Sequence, residues 1–315
     1  MAELIHNRYE LIEALGVGGM GAVFRAADRH LNREVALKVT RVEPPDPQRL
    51  ADATLFLKRE ARALGQLSHP SIPIIYDYSA DTHEPAYLAM ELIEGVNLGQ
   101  VIEPKSPVPV LVCLALLQRS AAALAHAHER SLIHGDIKPE NLMVERGGRV
   151  VLMDFGCTKA TQAKVLGNTA SVAGDFGVFG SLDFLSPEHI AGDSIEKSSD
   201  IFSLGTLAYL LCIGRLPFEE PKPADTMKRI LECDYVPTES AGNNLPPGLT
   251  GLITACLQRS EARRPTAHQI AAKLEQAFRS HWRTTPDFEL GLWAAGLDVF
   301  GLPSRVAATP GKKVG

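Results

Sequence analysis

Apolar and polar residues alternate along residues 9–24 (YELIEALGVGGMGAVF) and 34–40 (EVALKVT). A period of two marks half-buried strands, so the first stretch reads as strand, glycine turn and strand. Residues 43–47 (EPPDP) read as a loop, because proline withholds a backbone donor. The period then changes. Leu50, Leu57, Ala61 and Leu64 recur at helical spacing within 49–67, which predicts an amphipathic helix. IPIIYDYSA at 72–80 and AYLAMELIE at 86–94 return to strand. Beyond Gly95 helical patterns dominate. A long apolar helix is expected over 107–130, short strands at 142–144 and 150–153, and helices from 198 to 280 broken at GRLPFEEPKP and SAGNNLPPG. The fold class is therefore α+β: a small β-rich lobe over about 9–93, a hinge near 91–95, and a larger α-helical lobe over about 96–281. No internal repeat or low-complexity tract is seen.

Composition changes this picture little. A chain of 315 residues suits two lobes or domains rather than one simple core. The net charge of −5 offers no basic stripe, which argues against a nucleic-acid partner. Cys113, Cys157, Cys212, Cys233 and Cys256 form no CxxC pair, as expected of reduced thiols in a cytoplasmic protein. The N-terminus has no apolar signal core. The longest apolar run, VPVLVCLALL at 108–117, is too short to span a bilayer and is expected to be a buried helix.

Gly16, Gly18 and Gly21 in LGVGGMGAV follow the spacing G-x-G-x-x-G. In a dinucleotide fold that spacing opens a helix; here a strand follows. The glycines then serve a strand–turn–strand loop, whose amides approach phosphates with no Cβ in the way. Lys38 lies on the same strand face as Ala36. A lysine turned inward needs a partner, and Glu60 on the following helix is the candidate, against a plain solvated glutamate.

Farther along come HGDIKPEN at 134–141 and Asp154-Phe155-Gly156. In this order, LGVGGMGAV, VALK, HGDIKPEN and DFG resemble the protein kinase family in its bacterial, eukaryotic-like Ser/Thr branch, over about Tyr9 to His281. The resemblance implies a two-lobed kinase fold, with ATP and Mg²⁺ as cofactors and protein Ser/Thr hydroxyls as acceptors. It implies Asp136 as the base, Lys138 at the γ-phosphate, Asn141 and Asp154 as Mg²⁺ ligands, and Lys38 on the α/β-phosphates paired with Glu60. Leu15, Gly16, Gly18, Gly19, Gly21 and Val23 would surround the nucleotide. Glu91 and Ile93 would hold adenine through their backbone, with Met90 as gatekeeper.

The acceptor class turns on a departure. Kinases of proteins usually carry Arg where Gly135 stands, and H-G-D also occurs in aminoglycoside and choline kinases. Lys138, the segment GSLDFLSPE at 180–188, DIFSLG at 200–205 and ARRP at 262–265 all resemble the protein kinases instead. In that resemblance Asp200 braces the catalytic loop and Arg264 pairs with Glu188. Phe184 replaces a usual Tyr, Ser181 a Thr, and Ser186 the Ala of A-P-E. The missing Arg would read a phosphate on the activation segment, where Thr158, Thr161, Thr169 and Ser171 lie. Its loss implies activity not strictly dependent on that phosphate. A nucleotide-binding pseudokinase scaffold and a small-molecule kinase are the alternatives.

His126 and His128 lie on different helix faces and read as ordinary helix or solvated residues. Cys157 next to DFG reads as a small packed residue. The apolar tail, 282–315, with Trp282 and Trp293, is expected to pack on its own domain or on a partner.

Overall fold

In the computed structural model of the chain, the described residues are 4–18, 21–41, 46–79, 85–102, 108–155, 182–238, 245 and 247–297. Gly19, Gly156, Cys157, Thr158, Thr161, Thr169, Ser171, Ser181 and the tail beyond residue 297 lie outside them. The chain forms two compact units. Met1–Ser68 with Pro73–Glu94 makes the first, and His69–Ile72 with Gly95–Val299 the second.

The described residues of the first unit form one antiparallel sheet and one helix. Strands β1 (Leu4–Ile5), β2 (Tyr9–Gly18), β3 (Gly21–Asp28), β4 (Arg33–Thr40), β5 (Ile75–Ser79) and β6 (Tyr87–Met90) lie in the order β1-β2-β3-β4-β6-β5. Alternation buries one face: Tyr9, Ala26, Val35, Leu37, Val39, Tyr87 and Ala89 form its core with Ile5. Fully burying the valine, leucine and isoleucine side chains of this set contributes roughly 1.5–3 kcal/mol each, and the alanines less. Helix α1 (Pro47–Leu64) packs on β4, β5 and β6. It starts where the Asp46 carboxylate accepts the amides of Gln48 and Arg49, with Pro47 in the first turn, a strong start signal. The predicted apolar stripe needs one correction. Leu50 is 43 % exposed, while Ala53, Leu57, Ala61 and Leu64 are buried; Leu50 sits in the first turn, ahead of the stretch that meets the sheet.

The second unit is mostly helical. Strands β7 (Gly95–Asn97), β8 (Leu142–Glu145) and β9 (Val150–Leu152) form a small antiparallel sheet in that order. Around it are α2 (Leu98–Val101), α3 (Val110–Glu129), α4 (Pro187–Ala191), α5 (Lys197–Ile213), α6 (Pro223–Glu232), α7 (Pro247–Cys256), α8 (Ala267–Ala277) and α9 (Pro286–Ala295). Helix α3 packs against α5, α8 and α9. It is apolar nearly all round, as a central core helix should be. By length and composition α3 alone among the described helices could also cross a membrane, yet most of it is buried in this unit. Helix α5 is similarly enclosed, with Phe202 stacked on Phe218 at 5.7 Å between centroids. Sequence periodicity missed β1, β7, α2, α4 and α9, the first four being only two to five residues long. The described cysteines Cys113, Cys212, Cys233 and Cys256 are free thiols.

Candidate active site

In the first unit, β2 and β3 close on each other at the pair Gly18–Gly21. A Cβ on Gly21 would lie 2.3 Å from the Val39 carbonyl oxygen, so only glycine permits this approach of β3 to β4. Leu15, Gly16 and Val23 belong to the same two strands. Lys38 sits mid-strand in β4, opposite Val23 on one side and Leu88 on the other. Its Nζ meets both oxygens of Glu60, at 2.9 and 2.8 Å. The lysine side chain is 27 % exposed and the glutamate 4 %, so the carboxylate is the buried partner, satisfied by the ammonium. At the end of β6, Met90 is buried. The Glu91 amide donates to the Ile74 carbonyl, and the Glu91 carboxylate accepts the Ile74 amide at 3.3 Å. Ile93 is buried nearby in sequence.

In the second unit the catalytic-loop residues converge. Asp136 Oδ2 receives Lys138 Nζ at 2.7 Å and Asn141 Nδ2 at 2.8 Å. Asn141 Nδ2 also donates to the Asp136 carbonyl. A short 3₁₀ turn over Pro139–Asn141 is what folds Asn141 back within reach. The Met153 amide donates to the Asn141 carbonyl at 2.8 Å, tying the start of β8 to the residue before Asp154. Asp154 has φ +58°, a left-handed conformation that Asp tolerates better than most residues, and is exposed.

Beneath the loop lies Asp200 near the start of α5, 1 % exposed. Its carboxylate accepts the His134 amide at 2.9 Å, the Gly135 amide at 2.7 Å and His128 Nε2 at 2.7 Å. A buried carboxylate with three donors is fully compensated. His128, read from the sequence as an ordinary or solvated histidine, is thus a buried strut of the loop. Its signal was only its position in the last turn of α3, which does not reveal a partner 72 residues away. Gly135 has φ +79°, the region that costs other L-residues about 1–2 kcal/mol. Burial lowers the His134 pKa below its ordinary value, so the ring is neutral. Nε2–H donates to the Met153 carbonyl at 2.7 Å, and Nδ1 accepts the Asp136 amide at 3.2 Å. Phe155 packs edge-on against that ring.

Glu188 and Arg264 form a bidentate pair at 2.6 and 2.9 Å, both buried. Ser199 Oγ adds a bond at 2.6 Å, and Arg264 lies over the Phe202 ring. Burial pushes the Glu188 carboxyl up, but the bonds from Arg264, Ser199 and its own amide outweigh this and leave it lowered. Phe184 is buried, and its carbonyl accepts Ser203 Oγ at 2.7 Å. Asp183 is raised to about 6 by burial and by the neighbouring Glu219 charge.

The donors available for a metal are the Asn141 amide oxygen and the Asp154 carboxylate, both hard oxygens. With phosphate and water oxygens completing the shell, this set fits Mg²⁺. No cluster of three or more His, Cys, Asp or Glu occurs among the described residues, so nothing there competes as an all-protein cage.

Known proteins resemble this chain over most of its length. The family model of the protein kinase domain matches residues 9–274. Serine/threonine-protein kinase pkn2 of Myxococcus xanthus is 31 % identical over 325 residues, covering 98 % of this chain and 38 % of that protein. Serine/threonine-protein kinase PknB of Mycobacterium tuberculosis is 32 % identical over 275 residues, covering 86 % and 43 %. Serine/threonine-protein kinase PrkC of Bacillus subtilis is 30 % identical over 278 residues, covering 87 % and 41 %. The chain thus spans about two fifths of the length of these relatives. With an N-terminal sheet, a helical C-terminal unit and a kinase-domain match over most of its length, the chain belongs to the protein kinase family, on its two-lobed α+β fold.

Proposed function

We propose that the chain is a Ser/Thr protein kinase, transferring the γ-phosphoryl group of ATP to Ser or Thr hydroxyls of proteins. The observation that carries this reading is the Asp136 carboxylate, held by Lys138 and Asn141 on a loop pinned by Asp200. Phosphoryl transfer asks a protein mostly for positioning and charge. Asp136 orients the acceptor hydroxyl and takes its proton. Lys138 neutralises that carboxylate and meets charge on the transferring group. Lys38, fixed by Glu60, serves the α- and β-phosphates, while Glu91 and Ile93 offer backbone groups to adenine. Asn141 and Asp154 would hold Mg²⁺, which would supply positive charge to offset that of the transferring phosphates. Free thiols suit a reducing, cytoplasmic setting.

Gly135 removes one reader of an activation-segment phosphate. A glycine amide bonded to Asp200 at positive φ lets the loop take its shape without that phosphate, which supports activity in the unphosphorylated protein. The test is incorporation of phosphate from Mg-ATP into a general protein substrate, beside Asp136→Asn, before and after phosphatase treatment. Phosphoserine or phosphothreonine that drops about 10²–10⁴-fold in the variant supports the reading. Nucleotide binding without transfer would leave a pseudokinase scaffold, and transfer only to small hydroxyl compounds would move the acceptor class. A hundredfold loss on dephosphorylation would sink the Gly135 argument alone.

A further inference from the structure

Helix α9 lies beyond the kinase-domain match, which ends at residue 274, yet it is built into the second unit. Arg283, at φ +52°, turns the chain after α8 and its last wide turn. Thr285 Oγ1 then caps α9 by accepting the Phe288 amide. Leu290 and Ala294 are fully buried, with α9 packed along α3. At the rim, Asp287 Oδ1 meets Arg119 Nη2 at 2.6 Å.

A second contact is made by backbone. Gly148, in the turn between β8 and β9, has φ +84°, and a Cβ there would lie 2.4 Å from the Gly291 amide nitrogen and 2.8 Å from its Cα. A Cβ on Gly291 would in turn lie 3.5 Å from the Gly147 carbonyl oxygen. The closed end of the β8–β9 hairpin thus rests on the middle of α9 with no room for a side chain on Gly148. The open end of the same hairpin carries Asn141, directly before β8, and Asp154, two residues after β9. The β8–β9 ladder has three residue pairs, with bonds from the Glu145 amide to the Arg149 carbonyl and from the Met153 amide to the Asn141 carbonyl beyond them, and β7 along one edge; so small a sheet gains from support at its closed turn.

We propose that α9 is a positioning element for phosphoryl transfer: seated on the Gly147–Gly148 turn, it fixes the hairpin and so the placement of Asn141 and Asp154. The role of those two groups rests on the function proposed above; the seat itself does not. The test uses the full chain with Leu290→Asp, which unseats α9, and Leu290→Met, which keeps its packing. Gly148→Ala is a second route that leaves the face of α9 on α3 intact. Gly147→Ala is its control, since a Cβ there meets nothing within 4 Å. Two quantities are read: amide exchange over 142–153 in nucleotide-free protein, and the Mg²⁺ concentration giving half-maximal transfer at fixed ATP.

Leu290→Asp and Gly148→Ala are expected to speed exchange in the hairpin at least tenfold. They should also raise the half-saturating Mg²⁺ at least fivefold, with KM for the acceptor peptide unchanged within twofold. Leu290→Met and Gly147→Ala should match the parent in both. If Leu290→Asp does not fold, Leu290→Ala decides, since it thins the packing of α9 on α3 without straining the hairpin turn as an alanine at Gly148, φ +84°, would. Exchange and Mg²⁺ requirement both within twofold of the parent would overturn the proposal. Faster exchange with an unchanged Mg²⁺ requirement would also overturn it, leaving α9 a stabilising cover only. A parent protein that transfers no phosphate at any Mg²⁺ concentration would instead remove the functional reading, and the positioning role with it, while the exchange data still report whether the seat exists.

Discussion

The two units hold their charged groups in different ways. In the first, Lys38 reaches from a strand to Glu60 on a helix, at 2.9 and 2.8 Å, and the ammonium keeps partial contact with solvent. In the second, Asp136 sits on a loop whose backbone is bonded to Asp200, whose histidine is bonded at both nitrogens, and whose Asn141 is bonded back to it. A partly exposed ammonium has water to turn to when the helix that carries its partner moves. A group held by a buried, fully satisfied network cannot move without leaving donors and acceptors unpaired. The first arrangement is suited to switching and the second to permanence.

The sharpest way to break this contrast is to remove the supporting carboxylate from each unit. Asp200→Ala orphans two amides and His128 in a buried site. It should lower stability by about 3–5 kcal/mol and cut kcat about a hundredfold even well below the new Tm. Calorimetry and steady-state rates at 15 °C would show both losses together. Glu60→Ala leaves Lys38 able to turn to water. It should cost less than about 2 kcal/mol of stability while still lowering kcat/KM for ATP at least tenfold. Equal stability losses in the two variants would erase the distinction.

A smaller effect is expected at Gly135. Gly135→Ala places a Cβ at φ +79° and should cost about 1–2 kcal/mol, with Gly135→Asn milder because Asn tolerates that region. Identical Tm values for parent and alanine variant would contradict this.

At Asp183 a gain is expected rather than a loss. Its folded pKa of about 6 lies above the usual 3.8, so the folded state holds the proton more tightly. The stability it contributes is full below the ordinary carboxylate range and is lost as pH rises through about 6. Asp183→Asn should therefore gain up to about 3 kcal/mol at pH 7.5 and almost nothing near pH 3.5. A gain independent of pH would point to another cause.

Much of this was legible beforehand because it is local. Alternation gave the strands around Lys38, and ordered motifs gave Asp136, Asn141 and Asp154 their family roles. What stayed hidden depends on partners distant in sequence. His128 looks like any helix histidine until Asp200 is folded beneath it. Gly135 reads as a missing arginine, whereas its left-handed φ becomes evident only in three dimensions. Leu50 fits the helical period but sits in a turn that meets no sheet. Helix α9 has no strong amphipathic period, because a glycine at 291 serves backbone contact rather than an apolar stripe.

The Glu188–Arg264 pair also bears on how the chain is made. The two residues are 76 positions apart, and ribosomes add roughly 5–20 residues per second. For about 4–15 seconds after Glu188 is synthesised its partner does not exist, and a lone carboxylate cannot enter an apolar interior. The segment around Ser186–Ala191 must wait, hydrated and open to chaperones or proteases, until the arginine arrives. Nascent chains halted before residue 264 should accordingly be cut there by added protease, and chains released beyond it should resist.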